Sequence, residues 1–222
     1  MATKSNVSGS VFETVDPAFT AGRISIWPHQ SHGGYRYAGF SGLLPAALAA
    51  NAETFQMRWS SATDLFVLKF LKVRYQVITG FTAAQELAFD AVQSTGFTVA
   101  GTGGTAITPA ATTLKKRQSI AISKVSDMRI ATTAALGVGT KTLSANSFLV
   151  GMGKALAVGA TVQDAVFEET LDLTHSGDDP IVFAQNEGFS IRNTIALGAG
   201  GTVRMAVQLA WTEYLNAGYP TL

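Results

Sequence analysis

The sequence contains no cysteine, and only 14% of its 222 residues are charged. Without cysteine the chain forms no disulfide framework and no thiolate metal site. An average soluble domain carries about 25% charged residues, so this surface is weakly protected against association. The shortage of charge favours a subunit that packs against neighbours. A compact domain with a surface rich in serine and threonine is the alternative.

The chain also lacks an excess of either charge and a long apolar run. Lysine plus arginine total 16 and aspartate plus glutamate total 15, so the net charge of +1 provides little attraction for nucleic acid. The segment Met1–Ser10 has no apolar core of a signal peptide, and basic residues interrupt the most apolar window, Leu65–Ile78. We therefore expect a protein that is made in the cytoplasm and has no membrane partner.

What the sequence does contain is a repeated alternation of apolar and polar residues. Between Thr202 and Tyr214 the apolar positions are Val203, Met205, Val207, Leu209 and Trp211. A strand directs such residues to one side, whereas a helix would scatter them around its circumference. We therefore predict that these apolar side chains are buried and that Arg204 and Gln208 are more exposed.

The segment before this strand alternates in the same way and is bounded by turn signals. Gly198–Gly201 joins Phe189–Leu197 to the strand that begins at Thr202. A short glycine-rich connection between two alternating segments is typical of a hairpin. Gln185–Gly188 predicts a preceding turn whose glycine takes the left-handed conformation. These signals predict an antiparallel meander from Ile181 onwards.

Similar alternation recurs along most of the chain, which predicts an all-β fold: an antiparallel β-sandwich or jelly roll with an extended N-terminal arm. Residues 1–20 contain few large apolar residues and are predicted to be the arm. Residues 21–222 are predicted to be a single β-sandwich domain, because no repeat or change of composition divides them. Thr98–Thr113, rich in glycine, threonine and alanine, is expected to be a long surface loop.

Candidate metal ligands are few. His29 and His32 lie three positions apart, but Pro28 and the glycines that follow favour a loop, and no third ligand is near in sequence. We predict no metal there and no cofactor in the protein. Asp178 and Asp179 lie in a polar turn, and calcium binding at this pair is left open.

Two glycine-rich fragments resemble phosphate-binding loops but depart from the required spacing. A Walker loop needs a glycine five residues before Gly-Lys and a hydroxyl residue after the lysine. Lys141 follows threonine, and in the second fragment Phe148 and Ala155 occupy the glycine and hydroxyl positions. In a strand, Glu168 and Glu169 would point to opposite faces and could not converge on a substrate. We therefore expect a non-enzymatic protein with no catalytic residues.

Several strand and turn segments resemble those of tailed-bacteriophage virion proteins. They are Ala184–Asn193, Gly201–Arg204 with Trp211, Gln56–Trp59 and Asp127–Ala131. The resemblance implies a β-sandwich subunit of the virion, made in the host cytoplasm: a capsid decoration (cement) protein that binds the lattice of the major capsid protein. It implies partners that are virion proteins and further copies of the chain, in a homo-oligomer such as a trimer. It implies no direct contact with nucleic acid.

Other functions remain open on the sequence. The chain could be another phage virion component, such as a tail, head-fibre or connector protein. A jelly-roll capsid protein of a small virus commonly needs a basic arm against the genome, whereas residues 1–22 contain Lys4 as their one basic residue. A carbohydrate-binding jelly roll would place exposed aromatic residues beside carboxylates, and Trp27 with His29 and Tyr35 is the cluster that hints at such a site.

The predicted arm has its own candidate contacts. It lacks the hydrophobic pattern of a folded unit, so we expect it to become ordered against a partner. Its apolar residues are the predicted interface anchors: Val7, Val11, Phe12, Val15 and Phe19. The alternative is that the arm covers a sheet edge of its own domain.

Overall fold

The computed structural model describes residues 31–44, 47–108, 114–117, 119–155, 157, 166–174 and 180–216, with the backbone of three short strands within residues 4–24. Regular structure in these ranges consists of strands, and every pairing between strands is antiparallel. No helix in the same ranges has the length and apolar character needed to cross a membrane. The predicted all-β antiparallel sandwich is confirmed.

Sheet I has six strands. In the order in which they pair, they are β10 (Thr140–Ala155), β7 (Gln85–Val99), β13 (Glu187–Asn193), β5 (Ala52–Trp59), β9 (Asp127–Ile130) and β8 (Thr105–Ala106). Phe55, Met57 and Trp59 of β5 are fully buried, because alternate residues of this strand face the second sheet. In this strand order β10 lies at one edge of sheet I and β8 at the other.

Sheet II has five strands. Four pair in the order β11 (Val166–Asp172), β6 (Asp64–Thr79), β14 (Thr202–Leu215) and β4 (Ser31–Phe40), and β12 (Ile181–Phe183) also pairs with β6. The predicted alternation in β14 is confirmed: Arg204 and Gln208 are exposed, whereas the five predicted core residues are buried, namely Val203, Met205, Val207, Leu209 and Trp211.

The core lies between the facing sides of the two sheets. Tyr75 of sheet II stacks on Phe89 of sheet I with ring centroids 5.1 Å apart, and Phe183 stacks on Phe189 at 5.8 Å. Tyr75 also exchanges a hydrogen bond of 3.1 Å with Thr54, so its hydroxyl has a partner inside the core. These contacts fix the two sheets face to face as the layers of one sandwich.

The predicted C-terminal meander is wrong. β12 pairs with β6, β13 pairs with β5 and β7, and β14 pairs with β4 and β6, so consecutive strands alternate between the sheets. Gly198–Gly201 crosses from sheet I to sheet II and does not close a hairpin. Local alternation shows that a segment is a strand, but the partner is chosen by packing that is distant in sequence.

Two local predictions are also corrected. In the turn before β13 the left-handed residue is Asn186, with φ of 60°, while Gly188 lies within β13 against the Met57 carbonyl. An added Cβ at Gly188 would overlap that carbonyl, so the lack of a side chain at Gly188 allows β13 to pack closely against β5. The predicted loop from Thr98 contains β8, which pairs with β9, and 109–113 lie outside the described residues.

The segment predicted as an arm contains short strands of its own. β1 (Lys4–Ser5) pairs with β2 (Phe12–Val15), which pairs with β3 (Gly22–Ile24). β3 lies beyond the predicted arm boundary at residue 20. Among the described residues, this small sheet pairs with no strand of sheets I and II.

Candidate assembly surfaces

The first candidate surface is the outer edge of β10. This strand has 16 residues and pairs with β7, and no described strand pairs with its other side. Neither a charged residue nor a proline occurs between Lys141 and Lys154. The pairing with β7 shifts register before Leu149 and is regular from there to Ala155. We call this regular stretch, Leu149–Ala155, the β10 edge.

The β10 edge exposes apolar side chains on the outer face of sheet I. Val150 is 65% exposed and Met152 67% exposed. A Cβ at Gly151 would overlap the Phe89 ring, and one at Gly153 would overlap Phe167 of β11. The two glycines thus allow sheet II to close over the inner side of β10, while the larger side chains point away from the core.

A hollow of about 520 Å³ lies beside the β10 edge, where β10 ends against the start of β7. Its lining consists of 84–86 from the β7 side and Met152, Gly153 and Lys154 from the β10 side. The register places Lys154 opposite Glu86. The hollow is therefore a mixed surface, with one apolar side chain and one pair of opposite charges at its rim.

Buried polar groups anchor the beginning of β10. Lys141 Nζ lies 2.5 Å from Glu53 Oε2, with side chains 2% and 1% exposed, and 4.4 Å from the centroid of the Phe97 ring. Gln56 Nε2 donates a second hydrogen bond of 2.7 Å to Glu53 Oε2. Burial lowers the pKa of Lys141 below its usual value, and the bond to Glu53 opposes part of that shift.

A second ionic group anchors the middle of β10. Ser147 Oγ donates a hydrogen bond of 2.8 Å to Asp90 Oδ2, and Arg192 Nε donates one of 3.0 Å to Asp90 Oδ1. The hydrogen bond to Asp90 is the main cause that raises the pKa of Arg192 above its usual value. β10, β7 and β13 are thereby joined on the outer face of sheet I, which holds the β10 edge in place.

The second candidate surface is the outer face of sheet II, which we call the basic face. The register places its basic residues on one side of three neighbouring strands: Arg36, Lys72, Arg74 and Arg204. Lys72 forms an ion pair of 2.9 Å with Glu168. The register also places Glu168 opposite Arg74, whose charge helps to lower the pKa of that carboxyl after the bond to Lys72. Within the described residues, no ion pair joins Arg204 to a carboxylate.

Phe40 stands beside the two arginines and is 72% exposed. A hollow of about 160 Å³ lies among Phe40, Arg74, Gln76, Arg204 and Ala206. Ala206 is opposite both Phe40 and Arg74 in the sheet, and its small side chain leaves the floor of the hollow open. The basic face thus combines an aromatic ring with two guanidinium groups, which suits an anionic group next to an apolar one.

The arm residues predicted as interface anchors have different positions relative to the described structure. Phe12 and Val15 are the ends of β2, and the structure describes no side chains there. Val7, Val11 and Phe19 lie outside the described residues. Their role in an interface stays a prediction.

The other sequence candidates are also largely outside the described ranges. Trp27, His29, Asp178 and Asp179 fall there, and the side chain of His32 in β4 is not described. Over the part of the chain that is described, no group of three or more histidine, aspartate or glutamate residues is placed to hold a metal ion. The predictions on metal and calcium binding remain untested.

Sequence reasoning missed the β10 edge and the basic face. The run without charge between Lys141 and Lys154 was a readable signal for the first. The basic face had no local signal in the sequence, because its residues come from strands that are far apart in the chain and meet only through strand pairing.

No family model and no curated protein matches the chain. Two solved structures of infectious bursal disease virus are weakly similar to it. The Gx strain has 14% identity and a TM-score of 0.15 over 92% of this chain and 45% of that chain. The Gt strain has 13% identity and a TM-score of 0.12 over 96% of this chain and 48% of that chain. The chain spans about half the length of these viral chains, and TM-scores this low do not establish a shared fold.

Proposed function

We propose that the chain is a non-enzymatic structural protein of a virion, and specifically a capsid decoration protein that binds the lattice of a major capsid protein. The observation that carries the proposal is the basic face, where Phe40, 72% exposed, stands beside Arg74 and Arg204. The low content of charge and the resemblance of several strand segments to tailed-phage virion proteins support it. The protein would then work by attachment to a repeating surface.

The chemistry of the basic face favours an acidic and apolar partner surface. Guanidinium groups bind carboxylates through paired hydrogen bonds, and burial of one phenylalanine contributes roughly 1.5–3 kcal/mol. A single contact of this size is weak. On a capsid, many copies of the partner surface are presented together, so a homo-oligomer would attach through several contacts at once.

The N-terminal segment would supply a second attachment. The short strands β1, β2 and β3 would have to separate for this segment to reach a neighbour, and about 20 extended residues then span roughly 65 Å, enough to leave one subunit and reach another. The anchors would be the apolar residues named above, which could fill grooves while the backbone adds to a sheet edge of the partner. In this mechanism the arm strengthens binding, and the basic face sets the orientation.

The test measures binding of the purified protein to capsids assembled without it. The triple variant Phe40→Ser, Arg74→Ser and Arg204→Ser should bind at least about tenfold more weakly, since each lost contact contributes on the order of 1 kcal/mol. A control variant, Val99→Ser with Val138→Ser, removes exposed apolar side chains from the end of β7 and from the segment before β10, both outside sheet II, and should bind normally. Equal loss in both variants would contradict the assignment of this face.

A second variant separates the arm from the basic face. Deletion of residues 2–18 should weaken capsid binding while the melting temperature of the free protein stays unchanged. A large fall in that melting temperature would mean instead that the arm covers its own domain. Unchanged binding would remove the arm from the mechanism.

A further inference from the structure

The β10 edge presents backbone groups that a sheet normally pairs. An unpaired strand at the edge of a sheet is a template for another strand, and natural proteins usually block it with charges, prolines, bulges or a covering segment. Here the register irregularities lie before Leu149, and no charge or proline occurs between Lys141 and Lys154. Within the described residues, the most regular stretch of β10 is therefore the one with the least protection.

We propose that the β10 edge pairs antiparallel with the β10 edge of a second copy of this chain, which joins two copies of sheet I into one continuous sheet around a twofold axis. The inference goes beyond the proposed virion function and does not depend on it. A dimer of this kind would be a building unit in any assembly that the chain enters. Its interface is isologous, so the same surface serves both copies.

The strand itself favours a second copy as the occupant. If two copies pair antiparallel with Met152 opposite Met152, the regular stretch 149–155 of one copy lies opposite the same stretch of the other. Val150 of each copy then lies opposite Lys154 of the other. The apolar stem of lysine can cover the valine while its amino group stays in water. Antiparallel pairing also keeps the two Lys154 side chains apart, whereas a parallel pair would place them side by side.

Neighbouring features accommodate this arrangement. Outer-face side chains of the second copy would come beside the hollow of about 520 Å³ that Met152 and Lys154 line. Glu86, the register partner of Lys154 on β7, supplies a negative charge at the junction. On the inner side, Gly151 and Gly153 offer no side chain that would block approach along the edge.

Cysteine substitution tests the register directly, because the chain has no cysteine of its own. Side chains directly opposite in an antiparallel pair have Cβ atoms about 5 Å apart, within reach of a disulfide after small adjustment. Met152→Cys should form a covalent dimer on mild oxidation. Val150→Cys and Lys154→Cys should each form no covalent dimer alone and should cross-link when the two variants are mixed.

The matched control is Val138→Cys, since Val138 is also exposed (58%) but lies outside the strands. Its rate of cross-linking reports random collision. If Met152→Cys cross-links no faster than Val138→Cys, the proposed pairing is wrong. Cross-linking of Val150→Cys with itself but not with Lys154→Cys would overturn the register centred on Met152.

Sedimentation of the protein without cysteine supplies a second readout. The unmodified protein should show a concentration-dependent dimer, and Met152→Lys should weaken it by about tenfold or more, because like charges opposite each other destabilise a strand pair. Val138→Lys should leave the dimer unchanged. A monomer at all concentrations would refute the inference and would leave capsid binding through the basic face untouched, since this experiment contains no capsid.

Discussion

Lys141 and Glu53 form an ion pair of 2.5 Å although 88 positions separate them and β7 and β13 lie between their strands in sheet I. Both side chains are almost completely buried. The pair joins β10, at the edge of the sheet, to β5, near its other side. The conformation of the edge strand therefore depends on a buried charge interaction that spans the outer face of the sheet.

Breaking this pair should strongly destabilise the protein. Lys141→Met leaves the Glu53 carboxylate buried without its cation, which typically costs about 3–5 kcal/mol. The double variant Glu53→Gln with Lys141→Met removes both charges and should recover a large part of that loss. Urea unfolding midpoints compare the three proteins. A single variant as stable as the parent would contradict the buried pair.

Gly188 should not tolerate a methyl group. Gly188→Ala would push a Cβ into the Met57 carbonyl in the middle of sheet I, and overpacking of this kind costs about 1–3 kcal/mol or more. Gly34→Ala is the matched control, because its added Cβ would meet only the flexible Lys116 side chain, 3.2 Å away. Thermal melting should fall clearly for Gly188→Ala and little for Gly34→Ala.

Position 207 tests the inward face of β14. Val207 is fully buried, so Val207→Asp places an unpaired charge in the core and should prevent folding. Gln208→Asp puts the same residue on the exposed side of the same strand and should fold normally. Circular dichroism and solubility of the two purified variants give the answer. A normally melting Val207→Asp protein would mean that the face is misassigned.

Alkaline pH should destabilise the fold through Tyr35. Burial, with added repulsion from Glu213 and Asp64, raises the pKa of Tyr35 from 10.0 to about 12. Because the folded state favours the neutral phenol, this stabilisation is complete below pH 10 and is lost as the pH rises towards 12. The melting temperature should therefore fall less steeply over that range in Tyr35→Phe than in the parent. Equal slopes would exclude this tyrosine as the cause.

Much of the local structure follows from the sequence because strand periodicity is a local property. The alternation in Val203–Trp211 predicts which side chains face the core, and burial at each position agrees. The partner surfaces do not follow in this way. Phe40, Arg74 and Arg204 meet at one hollow only because β4 and β6 both pair with β14.

That the chain forms strands, and which face of each strand is apolar, follows from the amino-acid order alone, since side chains alternate with a period of two wherever the backbone is extended. The choice of partners is visible only in the folded protein: β13 joins β5 and β7, while β14, next in the chain, joins β4 and β6. Local sequence does not select the partner, because the backbone of any strand can hydrogen-bond to that of any other. The choice among partners depends on how distant side chains pack. The same choice leaves β10 at the edge of sheet I, with Val150 and Met152 exposed beside a backbone edge that no described strand pairs.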